Sequence, residues 1–153
     1  MAGIGLLIDQ GTKLYIDRSL ALYESIPVID NFLSITYVRN PGAAFGLFAE
    51  SGFRLPFLIG VTMVALVAII IAVHILRDKA NTAVIPLSCI FAGASGNLID
   101  RVRLGEVIDF IDVYWKSYHW PAFNIADSAI CLGVFLYLAF NMREERRLRL
   151  ESG

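Results

Sequence analysis

Two aspartates, Asp109 and Asp127, lie at the ends of two apolar stretches and are of the residue type that acid–base chemistry needs. Residues 81–99 contain 19 positions without Asp, Glu, Lys or Arg, and Asp127 lies near the start of a second apolar run, 125–142. Ionisable groups at such boundaries are costly in a membrane and usually mark function. If the two carboxylates meet in a site of low dielectric, they should share a proton, activate water and protonate a leaving group.

Further polar residues stand beside these acids at helical spacing. Asn97 and Arg101 are four residues apart, and Asn124 and Asp127 are three apart, so each pair shares a helix face. Buried polar groups without partners are expensive, so we expect these sets to converge on one another or on a substrate. The alternative is a purely structural network of charges at a helix end. It would consist of Asp100, Arg101, Asp109 and Asp112.

A serine mechanism is a rival, because residues 93–96 read Gly-Ala-Ser-Gly. This matches the GxSG pattern of rhomboid intramembrane serine proteases, which need a histidine base within hydrogen-bond reach of the serine. His119 lies in a loop beside Pro121, and His74 is expected toward the other membrane face. The four small residues are more simply a face on which a neighbouring helix packs closely.

Composition indicates an integral membrane protein of one domain. The chain has 153 residues, of which 57% are hydrophobic and 18% charged. The net charge of −1 gives no reason to expect a nucleic-acid partner. Cys89 and Cys131 lie singly in apolar runs and there is no HExxH motif, so we expect neither a metal nor another cofactor.

The hydrophobic pattern predicts four transmembrane helices with an extracytoplasmic β-element. Asp9 and Lys13 share a face of the first helix, for which a helix lying on the membrane surface is the alternative. The predicted segments in order are helix 1 over 2–20, the β-element over 25–47, helix 2 over 55–76, helix 3 over 81–103, a loop over 104–121, helix 4 over 123–142 and a basic tail over 143–153. The fold class is therefore an all-α integral membrane protein with a small β-sheet element and a loop over an active-site cleft.

The loop expected over the cleft is the far end of the β-element, Asn40 to Gly46. Its small residues, Gly42 and Ala43 among them, would let the backbone approach a substrate closely and act as a lid. An ordinary turn is the alternative.

Flanking residues predict the orientation. Four arginines lie within 143–149, which by the positive-inside rule indicates a cytoplasmic C-terminus. Tyrosines and both tryptophans lie between 114 and 120, as expected for an aromatic belt at the membrane interface. Both termini should face the cytoplasm, with the loop that carries the acids on the outer side.

Five motifs occur in an order typical of one family. They are Asp9-Gln10-Gly11-Thr12-Lys13, Asn40-Pro41-Gly42-Ala43-Ala44-Phe45, Gly96-Asn97-Leu98-Ile99-Asp100-Arg101, Val107-Ile108-Asp109-Phe110 and Phe123-Asn124-Ile125-Ala126-Asp127-Ser128. Through these motifs the chain resembles the bacterial lipoprotein signal peptidases, also called signal peptidase II, over nearly its whole length.

This resemblance implies a metal-free aspartic endopeptidase of the bacterial inner membrane. Its substrates would be diacylglyceryl-modified prolipoproteins, cut just before the lipidated cysteine, and membrane lipids would surround it. Lipopeptide inhibitors such as globomycin would be expected in the same cleft. Asp109 and Asp127 match the catalytic pair, and the surrounding polar positions match Asp9, Lys13, Asn40, Asn97, Asp100, Arg101 and Asn124. The alternative from another class is a small transporter or channel subunit, with an ion path lined by Asp9, Lys13, Asp100 and Arg101.

Overall fold

The chain folds into four helices and one four-stranded sheet. A computed structural model describes residues 1–42, 52–76 and 83–151. The elements in order are α1 (Ala2–Ser19), β1 (Ser25–Ile29), β2 (Leu33–Asn40), α2 (Arg54–Leu76), α3 (Val84–Leu104), β3 (Val107–Trp115), β4 (Tyr118–His119) and α4 (Ile125–Glu151). α4 continues as helix through most of the segment interpreted as a tail. Residues 43–46 of the expected lid, including Ala43, lie outside the described residues.

α3 is the central helix, because it packs against α1, α2 and α4. The glycines of α3 allow the neighbouring helices to approach it closely. A Cβ added at Gly93 would collide with the backbone oxygen of Ala126 on α4, and one added at Gly96 would collide with the carboxylate of Asp9 on α1. The small-residue packing face expected from the sequence is confirmed at these two positions.

α2 and α4 are long and apolar enough to cross a bilayer. In α2 only Leu66 is buried, while branched side chains such as Val64, Val67 and Ile70 are more than half exposed. A soluble protein would hide such a helix in its core. Apolar side chains on its outside are instead what contact with lipid requires.

The sheet is antiparallel with strand order β1-β2-β3-β4. The segment 104–121, interpreted from the sequence as a loop, thus contains β3 and β4. The strand was hidden because Val107 to Phe110 are four consecutive buried residues, so no polar and apolar alternation marks them. Pairing of Asn40 with Val107 brings the end of β2 beside the start of β3.

The sheet is fixed to the end of α1 by a small core and an ion pair. Ile16, Tyr37, Ile108 and Phe110 form the core cluster. At its edge, the Tyr37 hydroxyl donates to Asp17, and Arg39 Nη2 lies 2.7 Å from the same carboxylate. Because α3 ends and α4 begins at the sheet, three helices deliver side chains to this one end of the bundle.

Candidate active site

Asp109 is a buried carboxylate on β3, with only 2% of its surface exposed. One oxygen accepts a hydrogen bond from Asn40 Nδ2 on β2 at 2.9 Å, and the other accepts from Asn124 Nδ2 at 2.7 Å. Asn40 is in turn held by the backbone N–H of Gly42, which donates to its Oδ1 at 3.0 Å. The acid is therefore oriented from both sides.

Asp127 lies in the first turn of α4 and completes a capping box. The backbone N–H of Asp127 donates to Asn124 Oδ1 at 2.9 Å, and the backbone N–H of Asn124 donates to Asp127 Oδ2 at 3.2 Å. Asn97 Nδ2 on α3 donates to the other oxygen of Asp127 at 2.8 Å. The helix start thus fixes the carboxylate and leaves it half-buried.

Asn124 joins the two acids, because its amide bonds to Asp109 while its backbone and Oδ1 bond to Asp127. It is fully buried. Its Nδ2 also lies 3.2 Å from both the Asn97 Oδ1 and the Ile108 carbonyl oxygen. One residue therefore ties β3, α3 and α4 together at the point where the two carboxylates meet.

Lys13, Asp9 and Asp100 form a buried triad behind the site, each with 1% of its surface exposed. The ammonium nitrogen of Lys13 lies 3.0 Å from Asp9, 2.9 Å from Asp100 and 2.9 Å from Asn97 Oδ1. All three of its N–H donors are used. These residues bond to one another rather than lining an open ion path, contrary to the transporter interpretation.

The two acids of this triad also hold the backbone of the neighbouring elements. Asp9 accepts from the backbone N–H of Ala126 at 2.9 Å, and Asp100 accepts from that of Ile108 at 3.3 Å. Ala126 and Ile108 each adjoin one of the two aspartates of the site. The triad thereby positions the chain on which Asp127 and Asp109 stand.

Gln10 belongs to this network and was not selected from the sequence. Its Nε2 lies within 3.2 Å of the Gly96 carbonyl and 3.1 Å of both Asp9 and Asp100. The available signal was a polar residue directly after Asp9 in an otherwise apolar helix start. The capping box between Asn124 and Asp127 was also readable, since both residue types and the spacing fit.

Asp109 and Asp127 line a cavity of about 490 Å³. Arg101 lines it as well, and its Nη1 lies 3.4 Å from the Asn97 carbonyl. Burial, and to a smaller extent the charge of Asp127, raises the pKa of Asp109 to about 7, against opposing hydrogen bonds from Asn40 and Asn124. Such a pair can hold one proton near neutral pH and can therefore act as acid and base together.

The remaining wall of the cavity is mostly apolar. It includes Trp120, Pro121, Ala122, Phe123, Ile130 and Cys131. The site thus joins a polar floor to a wall suited to hydrocarbon.

The serine alternative lacks its base in the structure. Ser95 is absent from the described residues that line the cavity. His119 Nδ1 lies 3.0 Å from Asp112 on the exposed end of the sheet, where it stacks on Tyr114. His74 lies in the last turn of α2, at the C-terminal end of that helix. Within residues 1–42, 52–76 and 83–151, no group of three His, Cys, Asp or Glu side chains could hold a metal ion.

Known proteins match this chain over most of its length. The family model described as signal peptidase (SPase) II, Peptidase_A8, matches residues 1–143. Lipoprotein signal peptidases of Geobacter metallireducens and Geobacter sulfurreducens are 58% and 61% identical, over 96% and 93% of this chain and 91% and 89% of those proteins. That of Clostridium tetani is 41% identical over 93% of this chain and 90% of its own length.

Solved structures show the same fold. A bacterial membrane enzyme determined by the in meso method at 2.3 Å resolution has a TM-score of 0.82 and 37% identity, covering 94% of this chain and 86% of that one. A second, at 1.9 Å resolution, has a TM-score of 0.75 and 38% identity, covering 90% and 87%.

Proposed function

Because the chain belongs to the signal peptidase II family of aspartic peptidases, we propose that Asp109 and Asp127 are the catalytic pair of its lipoprotein signal peptidase activity. The substrate would be a diacylglyceryl-modified prolipoprotein, cut just before the lipidated cysteine. The observation that carries this assignment is that Asn124 bonds to both acids at the floor of one cavity. The test is cleavage of such a precursor by the detergent-purified protein, with both products identified by mass.

The geometry supports a division of roles between the two acids. Asp109 holds the shared proton, because its burial raises its pKa to about 7. Asp127, which Asn97 and Asn124 hold in place, takes a proton from a water molecule, which attacks the scissile carbonyl carbon. Asp109 protonates the carbonyl oxygen. Asp127 then gives its proton to the leaving amide nitrogen as the C–N bond breaks. One hydroxyl of the gem-diol intermediate returns its proton to Asp109, which leaves a carboxylic acid product and restores the pair.

The apolar wall supports binding of the lipid part of the substrate. Phe123, Ile130 and Cys131 line the cavity on the side of α4, a helix long enough to span the bilayer. A lipidated peptide could then enter sideways from the membrane, with its acyl chains remaining among membrane lipids. Lipopeptide inhibitors such as globomycin combine the same two chemistries and would occupy the same cavity.

All four helices are proposed to cross the membrane. α1 and α3 have 18 and 21 residues, or about 27 and 31 Å of helix, close to the roughly 30 Å hydrocarbon thickness. Their charges at Asp9, Lys13 and Asp100 are turned inward and paired, which removes the main cost of placing them in lipid. The sheet and the site would then lie at the outer face, and both termini in the cytoplasm.

A cysteine placed at position 151 tests this orientation. With both termini cytoplasmic, Glu151→Cys should be shielded from a membrane-impermeant thiol reagent in intact cells and should react after lysis. The parent protein should carry Cys89→Ala and Cys131→Ser, because Cys131 is exposed and lines the cavity.

Tyr118→Cys in the same parent is the matched positive control. Tyr118 is 81% exposed in the sheet and should react in intact cells. Labelling at 151 but not at 118 would reverse the proposed topology.

The proposed role of Asp109 predicts that cleavage slows as pH rises through about 7, because the acid then loses the proton that it must donate. The same shift affects stability. Between about pH 4 and pH 7 the carboxyl of Asp109 is protonated in the folded protein but ionised in the unfolded protein, where its pKa is about 3.9. The free energy of unfolding should therefore fall as the pH rises from about 4 to about 7. The measurements are kcat/KM for a lipidated precursor from about pH 6 to pH 9 and unfolding in detergent from about pH 4 to pH 7.

Asp112→Asn is the control for this pH profile. Asp112 lies on the same strand but pairs with His119, outside the residues that line the cavity. This variant should keep the alkaline decline unchanged. Constant activity from pH 6 to pH 9 in the parent protein would contradict the assignment of the shared proton to Asp109.

A further inference from the structure

The chain after β4 runs along the outer edge of β3 and forms the margin of the sheet beside the cavity. The backbone N–H of Trp120 donates to the Val113 carbonyl at 2.8 Å, and that of Phe123 donates to the Ile111 carbonyl at 3.1 Å. Two residues separate Trp120 from Phe123, but only one separates Ile111 from Val113. The margin therefore contains a bulge, made of Pro121 and Ala122.

Among the residues that the structure describes, this bulge leaves polar backbone groups of the sheet edge without a protein partner. In the part of the chain that the structure describes, neither the N–H nor the C=O of Ala122 has a hydrogen bond. Pro121 has no N–H to offer. Both residues line the cavity that contains Asp109 and Asp127. An open strand edge is a template for pairing with another extended chain.

We propose that Ala122 is a positioning residue, whose N–H and C=O pair with the main chain of an extended substrate and fix the scissile bond over the two acids. This inference rests on the proposed function. Because substrate side chains play no part in such pairing, it explains how one site could accept precursors of different sequence. Only one substrate residue should pair, because Pro121 lacks a donor and the N–H groups of Trp120 and Phe123 already face β3.

Substrates with single backbone changes test the proposal on the unaltered enzyme. In a series of synthetic diacylglyceryl-modified peptides spanning the cleavage site, each amide N–H away from the scissile bond is replaced in turn by an ester oxygen. One position should lower kcat/KM on the order of tenfold, the loss expected for one hydrogen bond, and its neighbours should have little effect. Equal effects at all positions, or none anywhere, would overturn the pairing.

The enzyme side of the pair is tested by comparing Ala122→Pro with Ala122→Ser. Proline fits an extended segment and removes the N–H, while serine keeps it. Ala122→Pro should have a kcat/KM on the order of tenfold below that of Ala122→Ser. The ester that lowers kcat/KM of the parent enzyme should lower kcat/KM of Ala122→Pro by a smaller factor, since the two losses are coupled. Equal activity of the two folded variants would refute the role of Ala122.

The ester series also separates this inference from the function on which it rests. If the parent enzyme cuts no lipidated peptide, the proposed function fails. If it cuts them all equally well, only the pairing through Ala122 fails.

Discussion

Replacing either Asp109 or Asp127 with Asn should lower kcat for cleavage of a diacylglyceryl-modified precursor by about 10³-fold or more. Asn is nearly the same size as Asp but cannot exchange a proton, and general acid–base catalysis contributes roughly 10²–10⁴-fold. In the proposed mechanism the two acids share one proton and act as a unit, so the double variant should be little worse than either single one. The measurement is single-turnover cleavage by each detergent-purified variant.

The structure predicts different costs to folding for the two variants. Each carboxylate accepts hydrogen bonds on both oxygens, so an Asn side chain leaves one N–H donor facing another donor, at a cost of about 1–3 kcal/mol. At position 109 this cost is offset, because the substitution also removes a carboxylate whose burial disfavours its charged form. Asp109→Asn should therefore unfold at a higher temperature than Asp127→Asn, especially above pH 7.

Ser95→Ala is the control for these two losses. Ser95 lies on α3 but is not among the described residues of the cavity, and no histidine is placed to activate it. Its substitution should leave cleavage in place. Activity that survives both Asp→Asn changes but is lost in Ser95→Ala would replace the aspartic mechanism with a serine one.

Much of this arrangement could be predicted from the sequence, because the signals are local. The long apolar runs mark α2 and α4, and the helical spacing of Asn97 with Arg101 and of Asn124 with Asp127 places polar groups on shared faces. The glycines of α3 likewise indicate close helix contacts, which the structure has at Gly93 and Gly96. Each of these patterns lies within one continuous segment of the chain.

What could not be predicted depends on pairing across long distances in the chain. Asn40 reaches Asp109 because β2 and β3 are neighbours, yet β3 shows no alternation from which a strand could be recognised. The orientation of Asp9 and Asp100 toward Ala126 and Ile108 likewise follows from three helices meeting the sheet. The sequence shows that these are polar residues in apolar segments, but not which backbone N–H groups donate hydrogen bonds to them.

Breaking the triad behind the site is expected to lower the free energy of unfolding more than removing a charge at the surface. Lys13→Met keeps the length of the side chain but leaves Asp9 and Asp100 buried without their common cation. Removing one partner of a buried ion pair costs about 3–5 kcal/mol, because the remaining charge is uncompensated. Unfolding in detergent should show this loss. Cleavage should fall too, since Asn97, which Lys13 also holds, orients Asp127.

Lys116→Met is the matched control, because Lys116 is exposed in the sheet and its ammonium group lies 5.6 Å from the centroid of the Trp115 ring. The same substitution there should change the free energy of unfolding by less than about 1 kcal/mol, as surface charges usually do. Adding Asp100→Asn to Lys13→Met should recover part of the lost stability, since one of the two unpaired charges is then gone. If Lys13→Met were as stable as Lys116→Met, the triad would not be what holds α1 against α3. The close packing of Gly5 against Ala92 and of Gly96 against Asp9 would then have to carry that contact.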